Sequence, residues 1–191
     1  MLANLDLALF RLINLKWIHP WADRFFVSFT SEDFWLWPLL SLIVFLLFFH
    51  GRRGRLLFLL LLISVSLTDS IAYRVLKPGI GRLRPCKTLE DVRVLEKCGG
   101  KYSMPSNHAA NFFAAATLLS LFFRRARWLF FSIAFLAGAY ARVYVGKHWP
   151  GDVLAGALFG VLTALAIYYL WVMLRLRLEK QERYFLSLNH P

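Results

Sequence analysis

Three short stretches of this chain carry residue types that do phosphate chemistry: Lys77-x6-Arg84-Pro85, Pro105-Ser106-Asn107-His108 and Arg142-x5-His148-x3-Asp152. Together they gather three cations, two imidazoles and one carboxylate. Cations replace the hydration of a phosphate. Arg grips two oxygens through its planar fork, and Lys acts as a point charge. A neutral imidazole can attack phosphorus, and a carboxylate four residues after His148 can accept one ring N–H and fix the tautomer. The inventory is that of a site that binds a phosphate and attacks it with histidine.

Taken singly, the stretches have plainer readings. Lys77 and Arg84 follow an apolar run that Pro78 and Gly79 are expected to end. Basic residues there commonly meet anionic head groups, and Arg82 and Lys87 are assigned to that role. Pro85 fixes the backbone after Arg84. Ser106 is a good N-cap, and the free N–H groups of a helix start favour anions. His108 then sits in the first turn, with Asn111 one turn on, lining the same pocket or bonding a neighbouring helix. Arg142 lies in an apolar run, so it needs a polar partner inside the bundle. Asp69 is a separate carboxylate in an apolar run. A structural pair with Arg74 or a motif cation is the favoured reading, and a buried acid tuning the site is the other.

The order and spacing of the three stretches resemble the signature motifs of the type 2 phosphatidic acid phosphatase superfamily, from about residue 55 to about residue 170. The resemblance implies a two-step phosphotransfer that uses no metal and no other cofactor. His148 would form a phosphohistidine, with Asp152 orienting it. His108 would protonate the leaving oxygen and then help activate water. Lys77, Arg84 and Arg142, with Ser106, Asn107 and backbone N–H groups, would hold the phosphoryl oxygens. The family usually has Gly where Asn107 stands, so this chain adds a side chain beside the phosphate.

The substrate class implied is a membrane lipid phosphate or diphosphate. Undecaprenyl diphosphate or phosphatidylglycerophosphate is the first expectation, and lipid A 1-phosphate or phosphatidate the alternative. A lipid-binding scaffold or transporter that kept the fold is the non-enzyme alternative. Intact His148, Asp152, His108 and three cations argue against it. Soluble relatives of the superfamily, acid phosphatases and vanadium haloperoxidases, do not suit a chain of this composition.

That composition is 59% hydrophobic, with 18 Phe and 7 Trp, against about 45–50% apolar for a soluble domain. The excess falls in runs at 34–49, 56–76, 107–123, 128–145 and 153–174. Each is near the ~20 residues that cross ~30 Å of hydrocarbon as a helix. The expectation is an all-α integral membrane bundle, a single domain over 1–191, with about five spans. Residues 1–30 would form an interfacial segment, with Leu2, Leu5, Leu9, Leu12 and Ile13 at helical spacing and Trp17 and Trp21 as anchors. A sixth span within residues 2–30 is the alternative. No cleavable signal peptide is evident.

The net charge of +12 is dispersed among the apolar runs, which fits topology-setting loops and not nucleic acid. Arg clusters at 52–55, 124–127 and 175–183 alternate with the three motif stretches. With five spans, those clusters lie on the cytoplasmic side and the motifs on the extracytoplasmic (periplasmic) face of the inner membrane. Residues 79–104 are then an extracytoplasmic loop, and 175–191 a cytoplasmic basic tail. Cys86 and Cys98 both fall in that loop. An even pair there points to a disulfide in an oxidising compartment, with two free thiols the alternative. No obligate protein partner is evident.

Overall fold

The computed structural model describes residues 2–189. Its helices are α1 (2–16), α2 (Pro20–Thr30), α3 (32–49), α4 (51–80), α5 (Asn107–Phe122), α6 (127–144) and α7 (Pro150–Asn189). The one β-bridge among the described residues joins Leu83 to Tyr102. Each apolar run of the sequence falls within α3, α4, α5, α6 or α7, apart from a residue at a helix end. Segments 51–80 and 150–181 are each long and apolar enough to cross a membrane. A third crossing results if 20–30 and 33–49, bent by 50° at their junction, are one span. The outer faces of these helices remain apolar: Leu154, Leu158 and Leu162 of α7 are all exposed at four-residue spacing. That is the pattern of a helix facing lipid tails.

α5 is the central helix. One side of it is built of Ala109, Ala110, Ala114 and Ala116, all buried. α7 answers with Gly156 and Gly160. A Cβ on either would collide with a carbonyl of α5's first turns, Ser106 O for the first and Ala110 O for the second. Small residues four apart let two backbones touch where lipid offers no hydrophobic driving force. On the far side, Leu46, Leu57, Leu60, Leu118 and Ala164 close a core between α3, α4, α5 and α7.

α4 does not stop at Pro78. It runs to Ile80 and ends at Gly81, which takes the left-handed conformation (φ 69°) and returns its N–H to the Lys77 carbonyl. The reason lies one turn earlier. Residues 72–76 form a wide turn in which the Lys77 N–H bonds the Ala72 carbonyl, and such a bulge accommodates a proline at the next position.

The N-terminal segment does more than lie in an interface. Leu5 and Leu9 face outward as an interfacial helix requires, but Phe10 is fully buried, its ring 5.3 Å from that of Trp149. Asn14 at the end of α1 is also buried, and its amide donates to the Arg93 and Tyr144 carbonyls. Residues 20–30 form a full helix. The loop from 81 to 106 is closed by a Cys86–Cys98 disulfide, with Cα atoms 6.2 Å apart. The expected basic tail begins as a direct continuation of α7 through Asn189. Its last two residues lie outside the described ones.

Candidate functional site

The three motif stretches meet where α4 ends, α5 begins and α6 turns into α7. Ser106 joins two of them. Its side chain caps α5 by accepting from the Ala109 N–H (3.4 Å), and its own N–H donates to the Asp152 carbonyl (3.0 Å). The turn between α6 and α7 hangs on Arg142, whose carbonyl accepts the N–H groups of Lys147 and His148. Gly146 holds φ 82° in that turn, and a Cβ there would come within 2.7 Å of the Arg93 carbonyl. Only glycine suits that position.

His148 is 4% exposed. Its Nδ1 lies 3.4 Å from Asp152 Oδ2, and its Nε2 lies 3.0 Å from an Arg84 nitrogen. A guanidinium has no acceptor, so Nε2 presents its lone pair and the ring proton sits on Nδ1, facing the carboxylate. Burial pushes the His148 pKa well below its ordinary value. The charges of Arg84, Lys77, Arg142 and Lys147 push it further the same way. The ring is therefore neutral near pH 7.

The cations surround this ring. Lys77 is buried and donates to the Ser103 (3.1 Å) and Tyr102 (3.4 Å) carbonyls. Arg84 also donates to the Gly100 (2.8 Å) and Lys147 (3.0 Å) carbonyls. Arg142 is buried and faces Glu96 at 3.6 Å, the polar partner its position demands. His108 lies within electrostatic reach of Arg142, His148, Lys147 and Arg84. It lines an apolar cavity of about 500 Å³ together with Asp69, Asn107 and Asn111.

Two assignments made from sequence are corrected by this geometry. Arg82 is not juxtamembrane charge. It donates to Asp152 Oδ1 at 3.1 Å, pairs with Asp6 of α1, and stacks its guanidinium 5.1 Å from the Trp149 ring centroid. Asp6 in turn accepts the Gly151 N–H (2.7 Å) at the start of α7. Asp152 is thus held by Arg82, by the Trp149 N–H (2.9 Å) and by His148. Nor does Asp69 pair with Arg74 or a motif cation. Its side chain accepts from Asn107 (2.8 Å) and Asn111 (3.1 Å).

Glu96 and Lys147 were also missed. They form an ion pair beside Arg142, and Thr30 donates to the same carboxylate. Burial alone would raise the Glu96 pKa, but the bonds from Lys147 and Thr30 and the charges of Lys147 and Arg142 hold it below the ordinary carboxylate value. The second carboxylate near the cations is therefore ionised and already engaged.

A bundle of apolar helices with this arrangement at one end is the construction of a membrane phosphatase. The PAP2 superfamily model matches residues 54–176, and the chain belongs to that superfamily, on its lipid phosphatase branch. A lipid A 4'-phosphatase of Bacteroides thetaiotaomicron is 32% identical, with 93% of this chain and 82% of the relative covered. An undecaprenyl-diphosphatase of Sulfolobus acidocaldarius is 31% identical, covering 81% and 73%. The crystal structure of Aquifex aeolicus LpxE superposes with a TM-score of 0.68 at 35% identity, covering 86% of this chain and 95% of that one.

Proposed function

We propose that the chain hydrolyses the terminal phosphate of a membrane lipid phosphate or diphosphate through a phosphohistidine at His148. The observation that carries this reading is the His148 ring: neutral, its Nε2 lone pair turned toward Arg84, its Nδ1–H turned toward Asp152. When phosphate displaces Arg84 from Nε2, that lone pair faces phosphorus. The N–P bond forms as the bond from phosphorus to the leaving oxygen breaks. The proton stays on Nδ1, and the ionised Asp152 beside it stabilises the imidazolium character that develops.

His108 gives the leaving oxygen its proton and takes one from the water that then cleaves the N–P bond. No described side chain bonds its ring, which leaves it available for both transfers. Lys77, Arg84 and Arg142, with Ser106 and backbone N–H groups, stabilise the charge that spreads over the phosphoryl oxygens, while the Asn107 amide donates to Asp69 instead.

The names of the relatives support two substrates, a lipid A phosphate and undecaprenyl diphosphate. Five spans (α3 to α7) put the Arg clusters of the connectors on one side and the site on the other. The positive-inside rule supports an extracytoplasmic, periplasmic site in the inner membrane. A disulfide in the site's own loop supports the same side, because such bonds persist in oxidising compartments.

The test is phosphate release by detergent-purified protein in EDTA from lipid A, undecaprenyl diphosphate, phosphatidylglycerophosphate and phosphatidate, beside His148→Ala. Release that vanishes in the variant supports the reading. A variant that keeps the wild-type rate removes His148 from the reaction.

A further inference from the structure

Asp69 is a carboxylate inside α4 that makes no ion pair with any described residue. Its two partners are amides, the Nδ2 groups of Asn107 and Asn111, and both donate to the same oxygen, Oδ1. The other ends of those amides are unsatisfied: Asn107 Oδ1 and Asn111 Oδ1 are buried and have no donor. Flipping either amide would turn its oxygen toward the carboxylate, so the orientation is fixed. The two buried amide oxygens thus have unfilled acceptor capacity, and the exposed Asp69 carboxylate lies beside both amides. A buried acceptor without a donor is costly, so a ligand that supplies the donor is favoured.

That place is one end of the cavity that holds His108. The rest of the cavity follows α5 toward Leu119 between Trp35, Leu42, Phe112 and Phe130. Eleven residues of helix separate His108 from Leu119, or ~16 Å at 1.5 Å per residue, enough for much of an acyl chain. The cavity therefore offers an apolar slot with acceptors among the residues at one end of its lining, beside His108, one of the two imidazoles of the proposed reaction. The cations of the site handle the phosphate. The acceptors face whatever the phosphate is attached to.

We propose that Asp69, Asn107 and Asn111 form a head-group subsite that accepts hydrogen bonds from hydroxyl or amide N–H groups next to the scissile phosphate, and so favours a phosphorylated, N-acylated amino-sugar lipid over a donor-poor lipid phosphate. The inference rests on the lipid phosphatase reading. Prenyl diphosphates and diacylglycerol phosphates carry no hydroxyl or N–H outside the phosphate. An N-acylated amino sugar carries both, and its amide-linked acyl chain starts where the apolar slot begins. A site built to bond a substrate hydroxyl or N–H discriminates strongly against an analogue that lacks it, because its own polar groups are then left unpaired.

The experiment measures kcat/KM on lipid A and on phosphatidate for the wild type, Asp69→Asn and Asn111→Ala, all purified in detergent. Asp69→Asn exchanges the Oδ2 acceptor for a donor with little change of shape. Asn111→Ala removes an acceptor from a second position. The wild type is expected to prefer lipid A, and each variant to lower the lipid A to phosphatidate ratio by about tenfold or more. The ratio does not depend on how much of a preparation is active, so partial misfolding does not mimic the effect. An unchanged ratio, a wild-type ratio of one or less, or loss of both activities in both variants overturns the subsite. Release from both lipids that survives His148→Ala is a different failure, that of the phosphatase reading itself.

Discussion

Arg84 and His148 share a hydrogen bond of 3.0 Å in which the imidazole can only be the acceptor. In the proposed reaction, one of the residues that would bind phosphate oxygen therefore holds, before substrate arrives, the lone pair that would attack phosphorus. Asp152 Oδ2 lies 3.4 Å from the opposite nitrogen. The Arg84 contact sets which tautomer is present and, in the proposed reaction, which atom would become phosphorylated.

Asp152→Asn should lower kcat by about 10³–10⁴-fold with KM little changed, the size of effect seen when an orienting carboxylate is replaced by an amide. An amide can still accept the Trp149 N–H, so the turn should hold. Steady-state kinetics on whichever lipid proves active makes the comparison. A loss confined to KM would show that Asp152 serves binding instead.

Arg82 and Asp6 extend the hold on Asp152 outward to the N-terminal helix. Arg82→Gln should lower kcat about tenfold while KM stays near wild type, since Arg82 reaches the phosphate only through Asp152. Arg82→Lys should recover part of the loss. Asp6→Asn should act in the same direction but less, because one amide oxygen remains to accept the Gly151 N–H. A rise in KM alone in these variants would place Arg82 on the substrate instead.

The depressed His148 pKa makes a pH prediction with a definite sign. Burial and then Arg84, Lys77, Arg142 and Lys147 favour the neutral ring. The proposed nucleophile is therefore ready at neutral pH and would be silenced only when acid protonates it. The acid limb of kcat/KM that belongs to His148 should lie below the ordinary imidazole value of about 6.5. The same shift affects stability: the unfolded chain takes up this proton near pH 6.5 and the folded chain does not. Stability from this group is complete above that pH and falls below it. A pH profile taken with EDTA present would show a limb near 6.5 if the neighbouring cations exert no such effect.

The Cys86–Cys98 disulfide closes a segment with a separation of 12 residues. Gly100, just past it, accepts from Arg84 Nε. Replacing both cysteines by Ser should cost about 3 kcal/mol by loop-closure entropy and should raise KM through a looser Arg84. Thermal unfolding in detergent and initial rates, each with and without reductant, test both effects. Unchanged melting on reduction would show that the bond adds nothing to stability.

The residues that meet at the site were legible in the sequence because the chemistry constrains their types. Few arrangements of Lys77, Arg84, His108, Arg142, His148 and Asp152 make sense apart from a phosphate. The helices were legible because lipid demands long apolar runs, and α3 to α7 coincide with them. What the sequence hid was the layer behind. Arg82 looks like any basic residue at a helix end. Asp6 lies 145 positions from the Gly151 N–H that it accepts, and no local pattern predicts such a contact. Pro78 gave the usual signal for a helix stop, which a wide turn upstream removed. Asp69 invited a cation by its charge, yet only tertiary packing decides that two amides reach it first. The Asn107 departure from the family's Gly was the available hint.

The most direct test of the central claim is to look for phosphate on His148. Protein mixed with lipid substrate is quenched in alkali, which preserves phosphohistidine, and its peptides are mapped by mass spectrometry. Phosphate on His148, enriched in His108→Ala where hydrolysis of the intermediate is slowed, is the expected result. Phosphate on another residue, or none while His148→Ala still turns over substrate, would contradict it.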